Sequence, residues 1–477
     1  MSANDIEFFD KLSYSAPYLF VGLCLIALFV IKIILGEEHS KKIFPRLAPI
    51  MCSCGFLLSF IHYSDTKALF AKIFTYSPFS QAASCFVLFT ASVLVLIISL
   101  LKRYRALPSV LYIVIFGLIL SIIVSLSANN FLMLFIGLEG YTLFVCFLLL
   151  VKRNDQEKRL SVARFLITSS VMAAVFLYGM SLYYSDFAGF MLADVKIDGH
   201  ITSIIGMFLI LSAILFKMAA VPFHSWAIDL YEKSSLAMVF FFDAVSKFFM
   251  MLILTNVCAI LLHNGVFYHH AFFTVVSVLS MVVGCVMPLH QKNIKKFLAY
   301  MSVGHVGFAL TVFATAKSQY SLRFAITYLI SYIIPYVCFF SSIRALKNVA
   351  KIETFRDIQG GVHSFPMIAY SIVISLFAMA GFPPFIGFVA KIDIFKLLIV
   401  NKNWWLLVIS CFYTLLCVVY TTKYSKFIFD KKQRGQETKE IHAKTTTAII
   451  SMSCLIISIL AYPMIDNFLY KIIGAIK

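Results

Sequence analysis

The run from Ile201 to Ile228 is hydrophobic throughout except for one formal charge, Lys217, and it contains a proline at Pro222. A helix through such a run reaches across a bilayer. Lys217 stands within about two or three residues of the middle, so it is expected at membrane depth. A charge there costs roughly 2.5 to 3.5 kcal/mol on insertion scales. Pro222 cannot donate the bond that the Met218 carbonyl would accept, and its ring presses on that carbonyl, so the helix is expected to break one turn after the lysine. Broken helices at membrane depth are tolerated where they line a protein-filled or wet interior. The rest of the chain has to supply that interior.

A second stretch of the same kind follows, Leu376-Phe-Ala-Met-Ala-Gly-Phe-Pro-Pro-Phe385. A shift of 161 lays Leu215, Phe216, Met218, Ala219 and Pro222 on Leu376, Phe377, Met379, Ala380 and Pro383, and a lysine, Lys391, follows the second proline as well. Two proline-interrupted hydrophobic segments at matching places in two halves point to a repeat-built transporter with its site near the midplane. Chance likeness between two apolar helices is the plainer alternative. The shared proline register and the lysines favour repeats.

Composition sets the class around these stretches. With 61% hydrophobic and 13% charged residues and a mean hydropathy of +0.93, the chain has more apolar surface than a soluble domain can bury. It is expected to be an all-α polytopic membrane protein. Fourteen candidate spans begin near Pro17, Leu47, Pro78, Leu107, Phe131, Leu160, Ile201, Leu236, Ala271, Phe297, Phe324, Phe365, Trp404 and Thr445. The net charge of +18 sits in the loops. Of the lysines and arginines, twenty-five fall in the odd connections and ten on the even side with both termini. By the positive-inside rule the odd loops face the cytoplasm and both ends face out. The basicity is then topological, which argues against nucleic-acid binding.

The first sixteen residues carry Asp5, Glu7, Asp10 and Lys11, which does not resemble a secretory signal, so the first span is expected to be retained. The eleven cysteines are scattered, and none has the spacing of metal ligands. No phosphate-binding loop or dinucleotide fingerprint is found. Energy is expected to reach the chain from somewhere else.

The charges inside the spans carry the chemistry. Lys32 and Arg164 lie near helix ends and are expected to snorkel. Glu139 lies about 3 Å from the middle of the span from Phe131 to Val151, flanked by Gly137 and Gly140. A carboxylate at that depth suits a proton carrier, and a purely structural ion pair is the alternative. Lys247 sits near the centre of the run from Leu236 to His263. A lysine taken out of water holds its proton less firmly, so small changes around it can load or unload it. His305 falls near the mirror position of Glu139 and could relay a proton or simply bond helix to helix. Asp243 precedes Lys247 by four residues, about 13 Å into a helix starting at Ser234, and is expected to share its face. It could tune Lys247, extend the relay toward the cytoplasm, or bind a neighbouring helix. The tail from Pro222 to Glu232 reads as a short helix returning to the cytoplasmic surface, and the stretch from Lys423 to Lys444 as a solvated loop.

These residues together resemble a known family. Glu139, Lys217-Met-Ala-Ala-Val-Pro-Phe-His-Ser-Trp226 with Asp229-Leu-Tyr-Glu232, Lys247, Gln291-Lys-Asn-Ile-Lys-Lys-Phe-Leu-Ala-Tyr-Met-Ser302 with His305, and Gly381-Phe-Pro-Pro-Phe-Ile-Gly-Phe-Val-Ala-Lys391 are similar to the antiporter-like membrane subunits of respiratory complex I. The resemblance covers roughly residues 105 to 430. Within the family, Asp229 to Glu232, a lysine rather than a glutamate at 391, and a length of 477 fit one subunit type best.

The resemblance implies about fourteen transmembrane helices in a single membrane domain, residues 1–477. It also implies two inverted five-helix repeats, 107–263 and 271–428, each with a broken helix. The implied activity is proton pumping in a complex whose other subunits hold the NADH, flavin, iron-sulfur and quinone chemistry, in a bacterial inner membrane. Glu139 and Lys217 would form an ion pair, Lys247 the central relay, and Lys391 the exchange with the outer side. Two departures stand out: Lys233-Ser-Ser-Leu-Ala237 where a proline-containing turn is usual, and Ser246 where a proline usually precedes the lysine. A multisubunit sodium/proton antiporter shares these motifs and remains an alternative. A secondary transporter would need a polar substrate pocket as well.

Overall fold

The computed structural model describes residues 3–59, 67–69, 72–100, 108–151, 156–195, 200–347, 352–430 and 462–473. Helix α1, Ala3–Leu58, is two helices joined at Gly36, whose φ of 68° no helix interior adopts. It is followed by the short antiparallel strands β1 (Lys67–Leu69) and β2 (Phe74–Tyr76). Then come α2 (Pro78–Leu100), α3 (Val110–Ser127), α4 (Phe131–Leu150), α5 (Gln156–Phe187), α6 (Ile201–Lys217), α7 (Ser225–Lys233) and α8 (Leu236–Phe240). A π-turn, Phe241–Ser246, leads into α9 (Lys247–His263). The remainder is α10 (His269–Val286), α11 (Ile294–Phe313), α12 (Arg323–Lys347), α13 (Gly361–Ser364), α14 (Pro366–Ala380), α15 (Ile386–Val400) and α16 (Trp404–Phe429), with a further helix over 462–473.

Among the described residues ten helices are long and apolar enough to cross a membrane, while α6 and α14 are apolar but shorter. With the two halves of α1 covering the first two, thirteen of the expected spans have a helix where the hydropathy placed it. The fourteenth, from Thr445, begins outside the described residues, as do Lys102 to Arg105, Lys152, Arg153, Lys196, Lys351 and Lys431 to Lys444. Two boundaries move: Lys423 and Lys426, expected in a loop, continue α16 to Phe429, and Arg344 and Lys347 continue α12 to its end.

The chain divides into two compact units. The first comprises Met1–Ala213, Leu252–Val266 and Ile472–Lys477; the second Ile214–Met251 and Phe267–Lys471. In the first, Lys32 does not simply snorkel. Its Nζ lies 3.3 Å from Glu37 Oε2, and Glu37 accepts the Ser109 backbone N–H at 2.8 Å and hydroxyl at 2.7 Å. A carboxylate at the entry to α3 meets the free N–H groups and positive end of that helix.

In the second unit α10 and α11 cross where neither has a side chain. A Cβ on Gly284 would lie 2.1 Å from Gly304 Cα and 2.2 Å from its nitrogen, so only glycine permits the approach. Backbone cannot yield as a flexible side chain can. Gly284→Ala is therefore expected to destabilise the subunit by about 1 to 3 kcal/mol or more, the cost of overpacking. A lowered thermal midpoint of the purified complex checks it, and a midpoint equal to wild type would show that the helices can separate freely.

Both expected breaks are present, and they end alike. In α6 the Ala219 and Ala220 N–H groups turn back to Phe216 O (2.9 Å) and Leu215 O (3.1 Å), with Ala219 left-handed at φ 58°. In α14 the Gly381 and Phe382 N–H groups turn back to Ala378 O and Phe377 O, both 3.1 Å, with Gly381 at φ 78°. This is the Schellman arrangement, which closes a helix by one left-handed residue.

It corrects two expectations. The helix stops at Lys217 itself rather than a turn later, because the left-handed residue ends it before Pro222 can. The two breaks also superpose with an offset of 162, Ala219 on Gly381, so Pro222 matches Pro384 and not Pro383. Trp226 Nε1 donates to Phe216 O at 3.0 Å, and the Val221 N–H to Ser280 Oγ at 2.9 Å, so the freed backbone groups find partners.

Candidate functional site

The second unit gathers most of the charged residues singled out above. The π-turn Phe241–Ser246 replaces the expected α-helical approach to Lys247, whose N–H donates five residues back to Phe242 O. Such turns are found mostly as single widened turns, often at functional sites. Asp243 and Lys247 remain on one face across it. Lys247 Nζ donates to Asp243 Oδ1 at 3.0 Å, with Asp243 1% and Lys247 4% exposed. The shared face foreseen for these two residues is thus a buried ion pair.

Three other helices close around the pair. From α7, the Tyr231 hydroxyl donates to Asp243 Oδ1 at 3.4 Å and its ring lies 5.7 Å from Lys247 Nζ. From α12, the Tyr332 hydroxyl donates to Asp243 Oδ2 at 2.7 Å. From α11, Ser302 Oγ accepts a hydrogen bond from Lys247 Nζ. Every charge buried here has hydrogen-bond partners, which is the condition under which a charged pair survives in low dielectric.

His305 follows Ser302 by about one turn of α11, on the same side. Its ring stacks on Tyr332 at 4.3 Å and its Nδ1 lies 2.6 Å from the Tyr328 hydroxyl. The Tyr413 ring stands edge-on at 6.2 Å. Tyr413 also carries the line onward: Lys391 Nζ is 5.7 Å from that ring and 5.6 Å from the Phe308 ring. Lys391 donates to Ala380 O at 2.6 Å, one of the carbonyls left over where α14 stops. A cation at a helix C-terminus is favoured by the helix dipole as well as by the bond.

The two remaining residues are placed individually. Lys217 is the last residue of α6 and 6% exposed, in the second unit. Glu139 is half-buried in the middle of α4, in the first unit, and its flanking glycines close α4 onto Ser121 and Ser125 of α3.

Sequence reading missed Tyr231, Tyr328 and Tyr332 as part of the site. The spacing of Tyr328 and Tyr332 by four in an uncharged span was the available signal. It also missed how the Ser234 and Ser235 joint is held. Lys295 Nζ donates to the carbonyls of Glu232 and, at 2.9 Å, Ser234, and Lys296 Nζ pairs with Glu232 Oε1 at 3.0 Å. Two lysines of α11 thus hold the joint at which this sequence has Ser234 and Ser235 in place of a proline-containing turn. Among the described residues no three His, Cys, Asp or Glu side chains gather as a metal site would require.

Residues 128–417 match the family described as NADH:quinone oxidoreductase/Mrp antiporter, TM, which is well over half of the chain. The chain belongs to this family. As a member of it, the chain is 28% identical over 476 residues to NADH-quinone oxidoreductase subunit N of Pelagibacter ubique, covering 98% of this chain and 99% of that one. It is 24% identical over 481 residues to the subunit N of Acidithiobacillus ferrooxidans, covering 97% and 98%.

Among solved structures, a chain of respiratory complex I from Thermus thermophilus has the same fold at a TM-score of 0.74, with 19% identity and coverage of 94% and 96%. A chain of the Mrp complex from a Dietzia species reaches a TM-score of 0.81, with 16% identity and 97% coverage of each. The antiporter family's matched segment contains Glu139, Lys217, Lys247, His305 and Lys391, and Asp243 with them.

Proposed function

We propose that this chain is the N-type membrane subunit of a bacterial NADH:quinone oxidoreductase, multi-pass in the inner membrane, and moves protons through its buried charged residues. The observation that carries the reading is the arrangement in the second unit. Two buried lysines, one paired with Asp243 and one holding the end of a broken helix, flank a histidine and are joined by tyrosine rings. Ionisable side chains kept at such expense inside a membrane belong to ion pathways by default. A structural core would be cheaper with apolar residues.

In this reading Glu139 and Lys217 act as an ion pair, Lys247 and His305 as the central relay, and Lys391 exchanges protons with the outer side. The halves 107–263 and 271–428 are inverted five-helix repeats, and both termini face outward. The like-ended breaks of α6 and α14 support the repeats. NADH, flavin, iron-sulfur clusters and quinone belong to partner subunits, and this chain contributes no redox group. The runner-up, a sodium/proton antiporter subunit, draws on the likeness to the Dietzia chain.

Deletion of the chain separates the two. NADH-driven pumping should vanish from membrane vesicles, and mass spectrometry of the purified complex should find the redox subunits beside this chain. Loss of growth in salt or alkali with NADH oxidation intact would favour the antiporter. Within the complex, Glu139→Gln removes a charge without changing shape. It is expected to lower pumping and quinone-reductase turnover together, by about tenfold for each 1.36 kcal/mol of lost stabilisation, while assembly persists. Full pumping in that variant would remove Glu139 from the mechanism.

A further inference from the structure

Asp243 has more to do than compensate one lysine. Its two oxygens bond to donors that belong to different parts of the site: Oδ1 takes Lys247 and Tyr231, and Oδ2 takes Tyr332 at 2.7 Å. The ring of Tyr332 is the one stacked on His305, at 4.3 Å and 30° between planes. A proton bound by Asp243 would therefore act on two neighbours at once. It cancels the counter-charge of Lys247, and it weakens the charge-assisted bond that holds the Tyr332 hydroxyl. His305 Nδ1 is engaged with Tyr328, and its Nε2 is buried with no hydrogen-bond partner among the described residues. In a neutral imidazole one ring nitrogen carries the proton and the other accepts, so His305 offers one acceptor nitrogen to an incoming proton, Nδ1 or Nε2 according to the tautomer.

We propose that Asp243 is itself a proton-carrying group of the pathway, the one loaded before Lys247 releases, and that Tyr332 is the positioning residue through which its state reaches His305. The proposal rests on the translocation reading above and extends it to a residue outside the family pattern. The steps balance in protons and charge. An incoming proton forms an O–H bond on the Asp243 carboxylate and leaves Lys247 as an uncompensated buried cation. One N–H bond of Lys247 then breaks, the electron pair staying on nitrogen, and that proton passes to His305. Transfer of the Asp243 proton to the neutral lysine restores the pair. The titratable groups facing Asp243 are Lys247 next along its own helix, Tyr231 of α7, and Tyr332 and Tyr336 of α12; Ser302 and His305 of α11 face Lys247 and Tyr332.

The test uses the intact complex in vesicles, with Asp243→Asn, Asp243→Glu and Tyr332→Phe. Pumping is followed against pH, and turnover-induced infrared difference spectra are recorded in the carboxylic C=O region. Wild type should show a carboxyl band that disappears in Asp243→Asn and persists, shifted, in Asp243→Glu. Pumping should fall at least tenfold in Asp243→Asn, with the residual profile moved to lower pH, and recover in Asp243→Glu. Tyr332→Phe should assemble and move the pH profile to higher pH, because a carboxylate that has lost this donor takes up its proton more readily. An Asp243→Asn complex that keeps the carboxyl band and the wild-type profile overturns the proposal. If Asp243→Asn does not assemble, an unchanged band and profile in Tyr332→Phe overturns it instead. A wild-type complex that oxidises NADH without pumping would overturn the translocation reading itself, a result distinct from either.

Discussion

Lys247→Ala is expected to lose proton pumping and also to destabilise the subunit, by about 3 to 5 kcal/mol, because it strands the Asp243 carboxylate in a buried site. Asp243 is 1% exposed, and among the described residues its remaining hydrogen-bond donors are the hydroxyls of Tyr231 and Tyr332, with Tyr336 also facing it. Two neutral donors solvate a charge less well than an ammonium at 3.0 Å does. The double variant Lys247→Ala with Asp243→Ala removes both charges, so it should recover most of the stability and none of the pumping. Thermal unfolding of the solubilised complex and NADH-driven acidification of vesicles measure the two effects separately. A single variant as stable as the double would mean that Asp243 is not held as a charged partner, and a double variant that pumps would remove Lys247 from the pathway.

Gly381→Ala is expected to cost as much pumping as Lys391→Ala, although residue 381 has no side chain. Gly381 is the left-handed residue that ends α14, where an L side chain is disfavoured by roughly 1 to 2 kcal/mol. Its Cβ would stand 2.9 Å from Lys391 Cδ and Cε and 3.1 Å from Nζ. Since the lysine is the flexible partner, it gives way. It then leaves the Ala380 carbonyl at 2.6 Å and the faces of Phe308 and Tyr413.

The expected result is an assembled complex with pumping reduced at least about tenfold, equivalent to 1.36 kcal/mol or more in the barrier. The corresponding residue of the first break, Ala219, already carries a methyl at φ 58°, so Ala219→Gly should pump normally. Wild-type pumping in Gly381→Ala would show that Lys391 needs no fixed position at the break.

The charged residues were legible in the sequence because each lies inside an apolar run. Lys217, Lys247, Lys391 and Glu139 announce themselves by their cost in hydrocarbon, a property of single residues that needs no knowledge of neighbours. Asp243 with Lys247 was legible too, since a spacing of four survives the change from an α-helix to a π-turn. Tyr332 was not. It meets Asp243 from 89 residues away, and nothing in an apolar stretch with several tyrosines distinguishes the one whose hydroxyl faces an acid.

By itself the sequence determined that the chain lives in a membrane, where its spans begin, that two of them are broken and which residues are charged inside it. Those outcomes follow from transfer into lipid and from the chemistry of proline, both of which act residue by residue. Only the tertiary structure decided where the broken helices stop and what their ends hold. Left-handed Ala219 and Gly381 close α6 and α14 ahead of the prolines, so the two breaks correspond at an offset of 162 instead of 161. That choice depends on which backbone groups find partners, Phe216 O with Trp226 and Ala380 O with Lys391, and such partners exist only once the helices have packed.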